Sequence, residues 1–460
     1  MPKRPLIMRG GLAGALAPFA VFLAGVGWLS LSGAPDERGF WPVLLAAIAA
    51  GLALARDRHH YSEVMLAGMS QPIVMLMITA WLLAGVLSAL LGASGFVDAL
   101  IWVAAKAGVG GGAYAAAAFV LCSLIATSTG TSFGTILICG PLLYPAGAST
   151  GADPAMVIGA ILAGATFGDS ISPISDTTIA SAGSQRADIG GTVRARLKYV
   201  LPAALAAVAV YAAVGGGWAP GRSGGALGRP DGLPMALVPV LVIAMMLGRR
   251  HLVEALMAGA VAAAVLGLAL GRLLPGQLLR IEEGSFAAKS LVIDGLDRGI
   301  GVSIFTLLLM ALTATLEASG ALGRLVDRAR ASAGSARAAE AWIVGVVSGA
   351  VLLTTHSVVA ILAVGPFARE TGAPAGVGPY RRANLLDLTV CTWPFLLPYF
   401  LPTILASNAT ASGAAVGWPR VSALEAGLHN VYSWALVVMI AAALGAGYGR
   451  SLGPHNNDAA

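Results

Sequence analysis

Residues 164–184 read Gly-Ala-Thr-Phe-Gly-Asp-Ser-Ile-Ser-Pro-Ile-Ser-Asp-Thr-Thr-Ile-Ala-Ser-Ala-Gly-Ser. An apolar helical run, 155–165, leads into Asp169 and Asp176. Ser170, Ser172, Pro173 and Ser175 lie between them, and Thr177 and Thr178 follow. A carboxylate near the middle of a bilayer costs about 3 kcal/mol or more. On an unbroken helix the two acids would share a face about 10 Å apart. Pro173 lacks an amide donor and clashes with the preceding turn, so the helix is expected to open near Thr166–Ser172 and free its carbonyls. Carbonyls, carboxylates and the hydroxyls of Ser172, Ser175, Thr177 and Thr178 form an all-oxygen environment, which suits a hard cation such as Na+. Proton and Na+ would compete for one carboxylate charge there, which gives exchange by mutual exclusion. The competing reading makes Asp176 a helix cap, a role that Ser175 would fill equally well.

The surroundings of this stretch are those of a membrane protein. The chain has 460 residues, 57% hydrophobic and 11% charged, with mean hydropathy +0.81; soluble domains average about 25% charged residues. The net charge of +6 implies no nucleic acid, because the cations sit in short loops beside apolar runs, where they set orientation against membrane lipid. Cys122, Cys139 and Cys391 have neither metal nor disulfide spacing. The N-terminal apolar run is too long for a signal-peptide core and reads as a retained span.

Apolar runs at 12–31, 40–55 and 71–91 precede a short interfacial stretch at 95–108. Arg56, Arg58, His59 and His60, which end the second run, and the N-terminus, two crossings away, read as lying on the cytoplasmic side of a bacterial-type plasma membrane. Residues 110–126 run into Thr127–Thr135, with six hydroxyls in nine residues. Gly130 and Gly134 favour a broken helix or re-entrant hairpin there, since irregular backbone at membrane depth lines cavities. Arg186, Arg194, Arg196 and Lys198 mark a cytoplasmic loop before a span at 199–214. No Lys or Arg is read well inside a span.

The pattern then restarts, with runs at 235–247, 252–270, 300–316, 342–367, 385–406 and 431–446. Arg249 and Arg250, then Arg324, Arg328, Arg330 and Arg337, mark cytoplasmic connections, and 282–289 reads as interfacial. At an offset of 225, Ala93-Ser94-Gly95 falls on Ala318-Ser319-Gly320, Thr129 on Thr354, Ser132 on Ser357, and Gly140-Pro141 on Gly365-Pro366. The spans ending at Leu91 and Leu316 run in opposite directions. The expected fold is therefore an all-α polytopic membrane protein built from two inverted-topology repeats, with discontinuous helices at a midplane site. Its expected divisions are a first repeat at 1–215, an external Gly/Pro-rich linker at 216–234, a second repeat at 235–449 and a disordered tail at 450–460.

Phe167-Gly168-Asp169-Ser170-Ile171-Ser172-Pro173-Ile174-Ser175-Asp176-Thr177-Thr178 resembles the signature of the NhaC family of Na+/H+ antiporters, as does Thr129-Gly130-Thr131-Ser132-Phe133-Gly134-Thr135. The resemblance implies Na+-linked exchange, with Na+ and H+ as cargo and no cofactor. It makes Asp169, Ser172, Asp176 and Thr177 cation-site candidates, with Thr129, Thr131 and Ser132 facing them. The family also includes exchangers of small organic acids.

The second half departs from that pattern. His356 stands where a small residue is expected, and Leu386-Asp387-Leu388 is followed by Cys391-Thr392-Trp393-Pro394. His356 and Asp387 are candidates for the proton or an organic anion. The plainer readings are a packed histidine and an Asp387 salt bridge at the membrane boundary after Arg381 and Arg382. An aspartyl protease is disfavoured, because both acids flank one proline on one segment. A channel lacks a filter repeat. The sequence allows a homodimer.

Overall fold

The computed structural model describes residues 4–32, 37–106, 108–173, 175–217, 229–248, 250–281, 288–321 and 335–450. Arg249, Arg324, Arg328 and Arg330, most of the linker, and the tail beyond residue 450 lie outside the described residues.

The first half comprises α1 (Gly11–Leu31), α2 (Phe40–Leu54), α3 (Arg58–Met69), α4 (Pro72–Ala93), α5 (Phe96–Lys106), α6 (Gly111–Thr129), α7 (Ser132–Ala146), α8 (Pro154–Ile171), α9 (Asp176–Ser184) and α10 (Ile189–Val214). The second comprises α11 (Leu237–Leu247), α12 (Leu252–Ala269), the single turn α13 (Pro275–Leu278), α14 (Leu291–Ala318), α15 (Ala336–Thr354), α16 (Ser357–Gly372), α17 (Pro379–Val390), α18 (Leu401–Ala409), α19 (Ala423–Leu428) and α20 (Val431–Gly445). A two-residue hairpin, β1 (Arg280–Ile281) with β2 (Ala288–Lys289), precedes α14. Among the described residues, eight helices are long and apolar enough to cross a membrane. The protein is an all-α multi-pass membrane protein.

The 225-residue offset holds at the level of elements. It carries α6 onto α15 and α9 onto α18 end for end, and the starts of α7 and α8 onto those of α16 and α17. Left-handed residues recur at the same spacing: Gly95 and Gly320, Gly130 and Thr355, Gly151 and Gly376. Two cross-contacts mirror each other. A Cβ on Gly140 would meet the Ala409 Cβ at 2.6 Å, and one on Gly365 would meet the Ser184 Cβ at 2.6 Å. Thus α7 packs on α18 as α16 packs on α9.

The equivalent helices α4 and α14 lie antiparallel. Gly85 abuts Gly295, while Trp81 and Leu82 abut Gly299, so one chain rises as the other falls. Glycines let these backbones approach closely, as is usual where membrane helices pack. Antiparallel equivalents are what an inverted repeat requires.

The α6–α7 pair folds back on itself as a helical hairpin. Tyr114 near its start donates to the Leu143 carbonyl near its end at 2.6 Å. Ile343 and Gly372 close the α15–α16 hairpin in the same way. Three expectations shift. The opening around Pro173 lies at Ser172–Ser175, because α8 stays helical through Ile171. The segment 385–406 is no single run: it splits into α17, a short turn and α18, at prolines 394, 398 and 402. Helix α10 begins at Ile189, ten residues before the expected span, which draws Arg196 into the helix.

Candidate functional site

Four helix breaks meet at one cavity of about 200 Å³. The α6–α7 break contributes Gly130, Thr131 and Ser132, and the α8–α9 break Asp169, Asp176 and Thr177. From the second half come Thr355, His356 and Ser357, and then Cys391, Pro394 and Leu401.

Each break has a local cause. Gly130 ends α6 at φ 69°, the left-handed turn that glycine adopts without penalty. The Thr131 hydroxyl then accepts from the Gly134 amide at 3.2 Å and caps α7. A residue before proline is driven to extended backbone; Ser172 obeys, at ψ 125°. Helix α9 restarts at Asp176, in the first turn, where the helix pole favours negative charge.

Asp169 is buried. Its Oδ2 accepts from Ser132 Oγ at 2.9 Å, joining the two first-half breaks. Its Oδ1 is buried with no hydrogen-bond partner among the described residues. A buried carboxylate oxygen without a donor is costly, and a bound cation or proton would satisfy it. Asp176 opens onto the cavity. It also lines a second cavity of about 430 Å³ with Thr129, Thr131, Phe133 and His356, which extends to Arg250 and His251. The two cavities share Thr131, Phe133, Asp176 and His356 as walls.

The other candidates divide. Ser172 is buried at the end of α8. Thr177 is bound to Ser175, Oγ1 to Oγ at 3.0 Å. Thr129 donates back to the Ile125 carbonyl at 2.8 Å and lines only the outer cavity, so the structure does not bring it to Asp169. His356 precedes α16 and lines both cavities, and its Nδ1 has no partner among the described residues.

Asp387 overturns its boundary reading. It is fully buried and pairs with Arg196 at 3.0 Å. Arg381 instead pairs with Glu340 at 3.1 Å, and Arg382 donates to Gln185 Oε1 at 2.9 Å. The expectation of no basic group inside a span fails at Arg196, which is fully buried. Its sequence neighbours Arg194 and Lys198 disguise it as a loop cation. The available signal was spacing: on α10, Thr192, Arg196, Tyr199, Val200 and Ala203 fall three to four residues apart and form its buried stripe.

Against known proteins, the model of the Na+/H+ antiporter family matches residues 19–216. Through this first half, the chain is similar to the Na+/H+ antiporter family. The match holds both helices of the α6–α7 hairpin and both aspartates of the proline break. The malate-2H(+)/Na(+)-lactate antiporter of Bacillus subtilis is 36% identical over 99 residues, 22% of this chain and 21% of that protein. The Na(+)/H(+) antiporter NhaC of Alkalihalophilus pseudofirmus is 32% identical over 102 residues, 22% of each. The alignments thus span about a fifth of these relatives' length. The solved YdaH transporter of Alcanivorax borkumensis is similar at TM-score 0.41 and 14% identity, over 95% of this chain and 100% of that one.

Proposed function

We propose that this protein is a secondary antiporter that exchanges Na+ for H+ across a bacterial-type cytoplasmic membrane, with its N-terminus inside. The observation that carries the reading is the unpartnered Oδ1 of Asp169, buried where four helix breaks meet. Around it, the C-terminal ends of α6 and α8 offer carbonyl poles to a cation, while the starts of α7 and α9 support the carboxylates. Asp176 meets the ion first, since it borders the larger cavity. Asp169 binds it deeper, beside Ser132. A proton on Asp169 satisfies the same oxygen as Na+ does, so the two alternate. One repeat rocking against the other exposes the site to each side in turn. The divisions 1–215 and 235–449 are these two repeats, and Na+ and H+ are cargo with no resident cofactor.

Asp169→Asn tests this in proteoliposomes. It is expected to abolish Na+-driven proton movement; normal exchange by the variant would remove Asp169 from the site.

A second reading, exchange of a small organic anion, draws on a separate cavity of about 300 Å³ lined by Arg38, Arg298, Arg420 and Asn408. The name of the Bacillus subtilis relative points the same way. Flux measured with Na+ alone against Na+ plus a panel of organic acids separates the two. A requirement for the acid would replace the simple antiporter.

A further inference from the structure

We propose that Arg196 is an internal counter-ion that pairs with Asp387 and clamps the second repeat to the proline break of the first, so that Asp387 carries neither cation nor proton. This rests on the antiporter reading above and sets which carboxylates in that site do the carrying.

A guanidinium has five N–H donors, and every one of Arg196's has an acceptor. Nε donates to Asn384 Oδ1 at 2.9 Å. Nη1 donates to the Ser170 carbonyl at 2.6 Å and to Thr178 Oγ1 at 2.9 Å. Nη2 meets Asp387 Oδ2 at 3.0 Å and Ser181 Oγ at 3.5 Å. Arg196 is therefore saturated and has no donor left for a substrate carboxylate. Its five acceptors come from the end of α8, from α9 and from α17, so one side chain ties both halves of the broken helix to the opposite repeat. The Ser170 carbonyl is one that the break at Pro173 releases.

Asp387 is equally occupied. Oδ2 also accepts from Ser181 Oγ at 3.0 Å, and Oδ1 from Cys391 Sγ at 3.3 Å. The contrast with the bare Oδ1 of Asp169 separates the two buried acids: one is satisfied by protein, the other waits for an ion. Burying two charges repays its desolvation cost only with this completeness of bonding, and removing one partner strands the other. The titratable and charged groups around Asp387 are Arg196 on α10, Asp169 on α8, Asp176 on α9, Cys391 just past its own helix and Tyr432 on α20. Arg196 is the cation among them, and it is already committed.

The pair also breaks the internal symmetry. At the 225-residue offset, Arg196 falls on Val421 and Asp387 on Leu162. No second copy exists, so the clamp belongs to one side of the molecule only.

The test uses the full chain as wild type, R196Q, D387N and R196Q/D387N. Three quantities are read: Na+-driven proton flux in proteoliposomes, the Na+:H+ ratio at the null point of opposed gradients, and the melting temperature in detergent. Each single variant is expected to melt lower and to exchange about tenfold more slowly, because one buried charge is stranded. The neutral double variant is expected to regain melting temperature and about tenfold of flux over R196Q, as a coupled pair does, with the wild-type ratio. If the double variant exchanges with one proton fewer per cycle, Asp387 is a carrier and the proposal falls. If it is no better than either single variant, the two residues are not a pair. Should R196Q fail to fold, D387N, which strands Arg196 instead, and the double variant give the same comparison. Should wild type move no protons with Na+, the antiporter reading fails, while the melting cycle still decides the pairing.

Discussion

At the scale of single residues, the site is defined by which buried polar atoms are satisfied and which are not. Asp387 is closed on both oxygens by Arg196, Ser181 and Cys391. Asp169 is closed on one by Ser132 and open on the other. Ser132 therefore fixes the direction in which the open oxygen points. A hydrogen bond to a charged group is worth about 1.5–3 kcal/mol. Ser132→Ala is accordingly expected to raise the Na+ concentration for half-maximal exchange about tenfold or more, with the maximal rate less affected. The Na+ dependence of proton flux checks this, and an unchanged half-maximal concentration would deny Ser132 its orienting role. Thr129→Ala is the control, since its hydroxyl is turned back to Ile125.

At the scale of elements, the breaks follow from local chemistry, and the two hairpins solve the same problem with different residues. Gly130 ends α6 in the left-handed region, and Thr355 ends α15 there at φ 54°. A β-branched residue pays about 1–3 kcal/mol for that conformation, whereas glycine gives back about 0.5–1 kcal/mol in lost chain entropy. Thr355→Gly is thus expected to stabilise by about 1 kcal/mol, and Gly130→Ala to destabilise by a similar amount. Melting temperatures in detergent should move in opposite directions; a fall for Thr355→Gly would mean that its hydroxyl, bound to the Thr354 carbonyl at 2.7 Å, matters more than its backbone. Such breaks were legible in the sequence because Gly, Pro and hydroxyl residues interrupt apolar runs. What local chemistry did not disclose was the depth of a charge. Arg196 lies beside Arg194 and Lys198; its place on the buried stripe of α10 and its packing against α8, α9 and α17 distinguish it from them. Glu340 was hidden in the same way, held from two sides by Arg381 and Arg450.

At the scale of the whole molecule, the offset of 225 read from small-residue matches proved to be an element-by-element register. The sequence showed that register because turns and breaks are conserved by backbone geometry even where side chains diverge; the convergence of four breaks on one cavity is a tertiary fact that no single segment contains. Inversion has a direct consequence for exposed turns. Ser149 lies in the turn between α7 and α8, and Pro374, 225 residues on, lies in the turn between α16 and α17; both are exposed. If the antiparallel packing of α4 on α14 reflects repeats inverted across the bilayer, these equivalent turns face opposite compartments. With the N-terminus inside, as proposed, the second turn falls on the cytoplasmic side. The native cysteines are all buried, so single added cysteines report cleanly. In right-side-out vesicles a membrane-impermeant maleimide is expected to label Ser149→Cys and leave Pro374→Cys unmodified, and in inverted vesicles the pattern should reverse. Labelling of both from one side would make the repeats parallel, and the alternation of access would then need a different motion from the rocking of one inverted half against the other.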